Sequence, residues 1–257
     1  MNALRAVALA MLSLAGAAAH SADDQDCTPD TLATVDAWLA RHPWKAGGTS
    51  PELRVTAACK RSPVDRDVTI VAAVYERGED DKNEIVALVD TRADKVRATF
   101  TGVIDEDVTR RVGSFAIDTA RYQLAPGVRA FGVDFHSMAY VSHAAEFRRE
   151  TERTLFIQDG PRLRPVLERF ALTTWNAIPD TGGSGELSHW TIAVAPTRSH
   201  GLADLVVTRS TDPDFTATPL RSRAVLHFDG KSYGIDPNPG EGQALQPWPA
   251  ASVPATP

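Results

Sequence analysis

Apolar and polar residues alternate with two different periods along this chain, and most of it has the period of β-strands. The stretches "DVTIVAAVY" (67–75) and "EIVALVD" (84–90) are nearly continuous apolar runs rich in β-branched residues, and an acidic segment separates them. Such runs are typical of strands that are buried on both faces. We therefore predict a β-hairpin here.

Later segments alternate regularly between apolar and polar side chains. In "RAFGVDFH" (129–136), one side carries Phe131 and Phe135, and the stretches at 187–195 and 222–228 repeat the pattern. This period of two is typical of antiparallel sheet with one solvated face. Asp-Gly pairs in "QDGP" and "FDGK" add a turn signal that favours hairpins.

One segment, "CTPDTLATVDAWLARHPW" (27–44), has helical spacing instead. Thr28 is suited to cap a helix, Pro29 suits its first position, and Pro43 would end it. Apolar residues between them recur at intervals that place them on one face of a helix. The segment predicts an amphipathic helix.

The chain has two cysteines, Cys27 before the predicted helix and Cys59 after it. In an oxidising compartment an isolated pair predicts one structural disulfide. The predicted fold class is therefore α+β: a predominantly antiparallel β-sheet, sandwich-like or strongly twisted, with a disulfide-stapled N-terminal helix.

The first residues predict export. Arg5 precedes a short apolar run with small residues near its end, which is the pattern of a secretory signal peptide. We predict a signal peptide over 1–19, or up to residue 22, a single β-rich domain over 23–235, and a disordered tail rich in Pro and Gly over 236–257. The predicted location is the periplasm.

The net charge of −6 makes the chain acidic, without a basic stripe. This favours neither nucleic acid nor anionic lipid as a partner, and no segment predicts a membrane span. An acidic protein associates fastest with a basic one, so a basic secreted toxin or envelope enzyme is the expected partner.

Familiar catalytic and metal-binding motifs are missing from the sequence. The stretch "TGGSGE" has Glu186 where the G-x-S-x-G motif needs its second glycine. No H-E-x-x-H, C-x-x-C or EF-hand pattern is present, so we predict no metal and no cofactor. Asp134 and His136 are the catalytic candidates that remain, because they share one side of a predicted strand.

Three histidines fall on the polar side of alternating strands: His136, His189 and His227. If these strands share a sheet, the imidazoles line one face and form a binding site, for a metal, a proton or a small ligand. The alternative is that they are ordinary exposed strand residues that never meet. A further pair, His200 and Asp204, lies at a predicted strand entry next to a turn.

Several stretches together resemble a group of uncharacterised proteins exported by Gram-negative bacteria: "VDAWLARHPW", "AACKRSP", "IDTARYQLAPGVRAFGV", "TLFIQDGPRLRPVL" and "HGLADLVV…AVLHFDGKSYG". The resemblance covers most of the chain after the signal peptide. It implies a periplasmic location, agrees with a Cys27–Cys59 bridge, and supplies no catalytic residues.

These observations favour a non-catalytic periplasmic protein that binds another protein, such as an inhibitor or an immunity protein against a toxin. Catalysis is the less favoured hypothesis. The alternatives are an envelope hydrolase that uses Asp134 and His136, and a protein that binds a metal or small ligand through the histidine-bearing face.

Overall fold

The structure is a computed structural model of the chain, and it describes residues 25–44, 53–77, 81–107, 109–139, 147–177, 185–213 and 220–234. The predicted signal peptide and the predicted tail at 236–257 lie outside these residues. Residues 178–184, which include Ser184 of the "TGGSGE" stretch, also lie outside them.

The described residues form one α-helix and eleven β-strands. In chain order they are α1 (Pro29–Arg41), β1 (Arg54–Arg61), β2 (Val68–Glu76), β3 (Asp81–Asp90), β4 (Lys95–Asp105), β5 (Val112–Ala125), β6 (Val128–Ser137), β7 (Phe147–Asp159), β8 (Arg162–Ala177), β9 (Gly185–Ser199), β10 (Leu202–Pro213) and β11 (Leu220–Leu226). The protein is mostly β-sheet, as predicted.

Helix α1 forms where the spacing predicts it. The Thr28 hydroxyl accepts a hydrogen bond from the backbone N–H of Thr31, Pro29 occupies the first turn, and Val35 and Leu39 are buried. Their side of the helix packs on the outer surface of β1–β3. No helix of the described residues is long and apolar enough to cross a membrane.

A disulfide joins Cys27 to Cys59, with 4.9 Å between their Cα atoms. Cys27 directly precedes α1, and Cys59 lies in β1. The bridge therefore links the segment that precedes α1 to β1.

The strands form one continuous sheet in the order β1-β2-β3-β4-β8-β7-β6-β5, while β9 pairs with β8 and β10, and β10 with β11. The predicted hairpin of β2 and β3 is present and antiparallel. Every pairing is antiparallel except that of β4 with β8, which is a single parallel bridge between Thr99 and Arg162. The sheet thus consists of two well-paired parts with a narrow junction.

Gln25 joins the edge strands β1 and β5, which approach one another because the sheet is curved. Its carbonyl accepts from the Cys59 N–H at 2.7 Å. Its side-chain amide accepts from the Ile117 N–H at 2.6 Å and donates to the Ile117 carbonyl at 3.2 Å. One residue therefore satisfies backbone groups on both edges.

In addition to the apolar layer between α1 and β1–β3, the described strands enclose two apolar cores. The first core lies between β2–β4 and β5–β7 and includes Val86, Phe115, Phe131, Val133, Phe135 and Phe156. The second core lies between β5–β8 and β9–β11 and includes Tyr122, Leu155, Phe170, Trp190, Leu205, Phe228 and Tyr233. The prediction that Phe131, Val133 and Phe135 face a core is confirmed.

The two Asp-Gly signals have different outcomes. The first forms the β7–β8 hairpin, with Gly160 at a φ of 58°. The second forms a turn in which the Asp229 carboxylate accepts from two backbone N–H groups, yet no strand of the described residues follows it. Instead, Tyr233 is buried in the second core and its N–H donates to the Val166 carbonyl.

Charged side chains close one end of the first core. The Lys82 ammonium lies 3.2 Å from Glu76 and 3.1 Å from Glu106. Glu84, two residues further along β3, points to the side of Val86, with Arg110 as the opposing charge nearby. Burial raises the pKa of Glu84 to about 7, and the attraction of Arg110 offsets only part of that rise.

Glu84→Gln should therefore change stability in a pH-dependent way. The folded protein holds the Glu84 proton more tightly than the unfolded chain does, so this group stabilises the fold at low pH and loses that contribution as the pH rises toward 7. Urea unfolding should show similar stability of variant and wild type near pH 4.5. At pH 8 the variant should be more stable by about 1–3 kcal/mol. The exposed Glu168→Gln should have the same free energy of unfolding as wild type at both pH values. If Glu84→Gln also equalled wild type at pH 8, the raised pKa of Glu84 would be contradicted.

Candidate functional site

The carboxylate of Asp134 is held by an arginine on the neighbouring strand. Asp134 in β6 lies opposite Arg153 in β7 and is 8 % exposed. The guanidinium donates from Nε to Oδ1 at 2.5 Å and from Nη2 to Oδ2 at 2.6 Å. Both oxygens of Asp134 are thus engaged in a two-pronged charge-assisted pair.

The same guanidinium also binds β5. Its Nη1 lies 2.5 Å from Asp118 Oδ2 and 2.6 Å from the Tyr122 hydroxyl, which in turn donates to Asp118. Burial alone would lower the pKa of Arg153, but the hydrogen bonds and charge of Asp134 outweigh it and raise that pKa. The arginine is therefore a permanent cation that joins three strands.

Gly132 makes room for this cluster. A Cβ atom at this position would lie 3.1 Å from Arg153 Cδ and 3.3 Å from Asp118 Cβ. The sequence contains that signal, a glycine inside an otherwise β-branched and aromatic strand, but it does not identify the arginine that fills the space. Of this cluster the sequence pattern indicates Asp134 alone, and it gives no sign of Arg153, Asp118 or Tyr122.

His136 lies on the same side of β6 as Asp134 but belongs to a different contact. Its Nδ1 is 3.1 Å from the Thr151 hydroxyl. Because the Asp134 carboxylate faces Arg153, the two residues are neighbours along the strand and do not form an acid–base pair. The carboxylate that the hydrolase hypothesis assigns to this histidine is therefore not free, because Arg153 engages both of its oxygens.

The three histidines do not lie together. His136 points to the side of the second core, as Asp134 and Tyr122 do, whereas His189 points away from that core, opposite to Trp190. Across the sheet, His189 of β9 pairs with Ser210 of β10, and Ser210 pairs with Arg221 of β11. His227 lies six positions after Arg221 along the chain. At 3.3 Å per residue this separates His189 from His227 by about 20 Å.

His227 contacts a buried carboxylate instead. Its Nδ1 lies 3.3 Å from Oδ1 of Asp204, a residue only 1 % exposed. Burial alone would raise the pKa of Asp204, but hydrogen bonds from Thr197 and Ser199, together with His227, hold it below its usual range. The carboxylate therefore stays ionised and orients the exposed imidazole.

This arrangement lacks the geometry of an activated serine. The Ser199 hydroxyl also lies 3.3 Å from His227 Nδ1, the nitrogen that faces Asp204. A catalytic histidine uses one nitrogen for the carboxylate and the other for the nucleophile. Within the described part of the chain, no three His, Cys, Asp or Glu side chains are grouped so that they could hold a metal ion.

The exposed side of β9–β11, here called the outer face, is the broadest candidate surface. Because paired residues share a side of the sheet, it carries His189, Thr191 and Ala193 of β9, Val206, Thr208 and Ser210 of β10, and Arg221, Arg223 and Val225 of β11. Short side chains occupy its middle, which makes it flat there; Val225 is 44 % exposed, whereas Val206 is buried. It measures about 10 Å across the three strands and about 13 Å along them, from strand spacing and rise.

One edge of this face is open. Among the described residues, β11 pairs only with β10, so its other side has no strand partner. Arg221 and Arg223 are exposed there and form no ion pair with any described side chain. The alternation of residues predicts a strand here. It does not predict that one side of this strand is unpaired, because local periodicity contains no information on pairing partners.

A separate cleft of about 400 Å³ lies at the start of α1. Its walls are Gln25, Asp26, Thr28, Thr31, Cys59, Lys60, Arg61 and Thr69. Gln25 and Cys59 are also the residues that join β1 to β5. The cleft is thus formed by the groups that close the sheet.

The chain matches no protein-family model, no curated protein and no solved structure. Its function therefore has to be argued from its own side chains.

Arg153→Met should be strongly destabilising, because it leaves the carboxylates of Asp134 and Asp118 without their cation. Breaking a buried ion pair in this way costs about 3–5 kcal/mol. His136→Ala should cost less than about 1 kcal/mol, since it removes only one half-buried contact. Urea unfolding measures both, with the exposed Arg121→Met as the matched control. A large loss for His136→Ala with little loss for Arg153→Met would contradict the assignment of the cluster.

Proposed function

We propose that this chain is a periplasmic protein, exported by a signal peptide over 1–19 or up to residue 22, that acts by binding another protein. An inhibitor or an immunity protein against a toxin is the concrete form of this proposal. The observation that carries it is the flat outer face with the open edge of β11 beside it.

Open strand edges are otherwise a hazard to a soluble protein, because they template pairing with other chains. Strand edges and flat sheet faces are also surfaces that proteins use for recognition, through main-chain hydrogen bonds and alternate side chains. The outer face offers both kinds of contact within about 10 Å. This favours a macromolecular partner over a small ligand, which prefers a concave site.

The rival hypotheses find less support in the geometry. A hydrolase based on Asp134 and His136 requires a free carboxylate, whereas Arg153 engages both oxygens of Asp134. Metal binding by His136, His189 and His227 requires them to converge, whereas they lie on two sides of the sheet. A basic toxin or envelope enzyme stays the proposed class of partner, since the net charge of −6 attracts basic proteins at long range.

We also propose that the disulfide staples α1 to the sheet as the N-terminal element of the exported protein. The bridge spans 32 residues, and closing a loop of that length is worth about 3–4 kcal/mol. It would hold Gln25, two residues before Cys27, where it bonds to β1 and β5.

Cys27→Ser/Cys59→Ser should accordingly lower the free energy of unfolding by about 3–4 kcal/mol. Denaturant unfolding of the oxidised wild type, the reduced wild type and the double variant tests this. Reduced wild type and double variant should coincide, and reductant should leave the variant unchanged. Equal free energies of unfolding for all three samples would show that the disulfide does not stabilise the fold.

The binding proposal is tested with tagged protein purified from the periplasm and incubated with envelope extract and with the product of the neighbouring gene. Thr191→Arg places a bulky charge on the β9 side of the outer face, halfway along it, whereas Val64→Arg places the same group at a remote position that is 69 % exposed. Wild type and Val64→Arg should retain the same protein, with a measurable Kd after its purification, and Thr191→Arg should lose it. Retention by all three, or by none, would count against the proposal.

A further inference from the structure

We propose that the partner contributes an extended acidic segment, in which carboxylate and apolar side chains alternate, and that this segment adds as a strand to the open edge of β11. This inference rests on the proposed function and specifies the contact.

The edge has the length of a recognition strand. β11 spans seven residues, and its register with β10 runs without a bulge from Leu220 to Leu226. A regular strand exposes alternate N–H and C=O groups on its far side. An extended segment that lies along β11 satisfies these groups with main-chain hydrogen bonds of its own.

The charges on the outer face select acidic side chains. Arg221 and Arg223 are exposed, two positions apart, and unpaired within the described part of the chain. By contrast, the inward-facing Arg209 of the adjacent strand donates to Glu186 and Ser188. None of the nine residues that define the outer face carries a carboxylate, and Asp204, which precedes them in β10, is buried and faces His227.

The other side of β11 selects apolar side chains. Leu226 is buried in the second core, and Ala224 is half-buried against it. Residues of an added strand that point to this side would continue the rim of that core. Since strand side chains alternate between faces, the preferred segment alternates carboxylate with apolar residues.

A second copy of this chain is a less suitable occupant. Pairing β11 with β11 would bring Arg221 and Arg223 of one copy beside those of the other, and like charges on paired strands are destabilising. A basic segment meets the same repulsion. The unpaired arginines therefore discriminate between occupants of the edge by their charge.

The test uses the full exported chain and fluorescein-labelled peptides of seven residues, the length of β11, in which valine alternates with glutamate or with lysine. Polarisation should show that wild type prefers the glutamate peptide and that Arg221→Glu/Arg223→Glu weakens its binding by about ten-fold or more. The double variant should gain affinity for the lysine peptide. Arg221→Lys/Arg223→Lys should keep the wild-type preference, and added salt should weaken it.

Hydrogen exchange on the same complexes locates the peptide. Alternate amides of β11, those that point away from β10, should become protected. Equal binding of both peptides, no binding, or binding without protection in β11 would overturn the inference, as would a stable dimer of wild type through this edge. If the captured partner is lost with Thr191→Arg but retained by Arg221→Glu/Arg223→Glu, the proposed function stands and the strand-addition inference fails.

Discussion

Backbone groups at the edges of a sheet need hydrogen-bonding partners, and the way each edge of this sheet obtains them organises the fold. The edges of β1 and β5 meet through Gln25, which bonds to both. β4 and β8 touch at one bridge, where the Thr99 N–H donates to the Pro161 carbonyl. Among the described residues, β11 has no strand partner on the side away from β10, and neither do residues 190–199 of β9. β11 differs in being unpaired on that side along its whole length, which makes its edge a place where another chain can extend the sheet.

Buried charge imposes the second constraint. Arg153 is stable inside the protein only because Asp134, Asp118 and Tyr122 surround it, and Gly132 leaves the space they need. An aspartate that resembles a catalytic base in the sequence is thus half of an internal ion pair. Arg221, in contrast, pays no desolvation cost while it is exposed and would gain its partner only in a complex. An arginine that is paired within the chain has a structural role, whereas an exposed and unpaired one such as Arg221 is free to contact a partner.

The sequence predicted what depends on local periodicity. The helix at 29–41, the β2–β3 hairpin and the inward side of Phe131 and Phe135 follow from neighbours a few residues apart. The sheet order and the partner of Asp134 depend on strands far apart in the chain, so no local pattern contains them. Alternation shows which residues of one strand share a side. It does not show which side of that strand lies on the same face of the sheet as a given side of another strand. For that reason His136 and His189 lie on opposite sides of the sheet, and the prediction that the Asp134 side of β6 is solvated is wrong, because that side faces the second core.

Net charge and local charge also act over different distances. The charge of −6 belongs to the whole chain and influences the approach of a partner from beyond the molecule's surface. At contact distance, screening at physiological salt limits the reach of each charge to about 8 Å, so a strand added beside β11 would interact mainly with Arg221 and Arg223. A partner that is basic overall but carries an acidic strand would be favoured at both distances. Its net charge would speed the encounter, and the carboxylates of its strand would set the register beside β11. Neither property alone would specify the complex. A uniformly basic protein would be attracted by the net charge but repelled by Arg221 and Arg223 at the edge of β11. An isolated acidic peptide would fit that edge, but the net charge of the chain would not attract it.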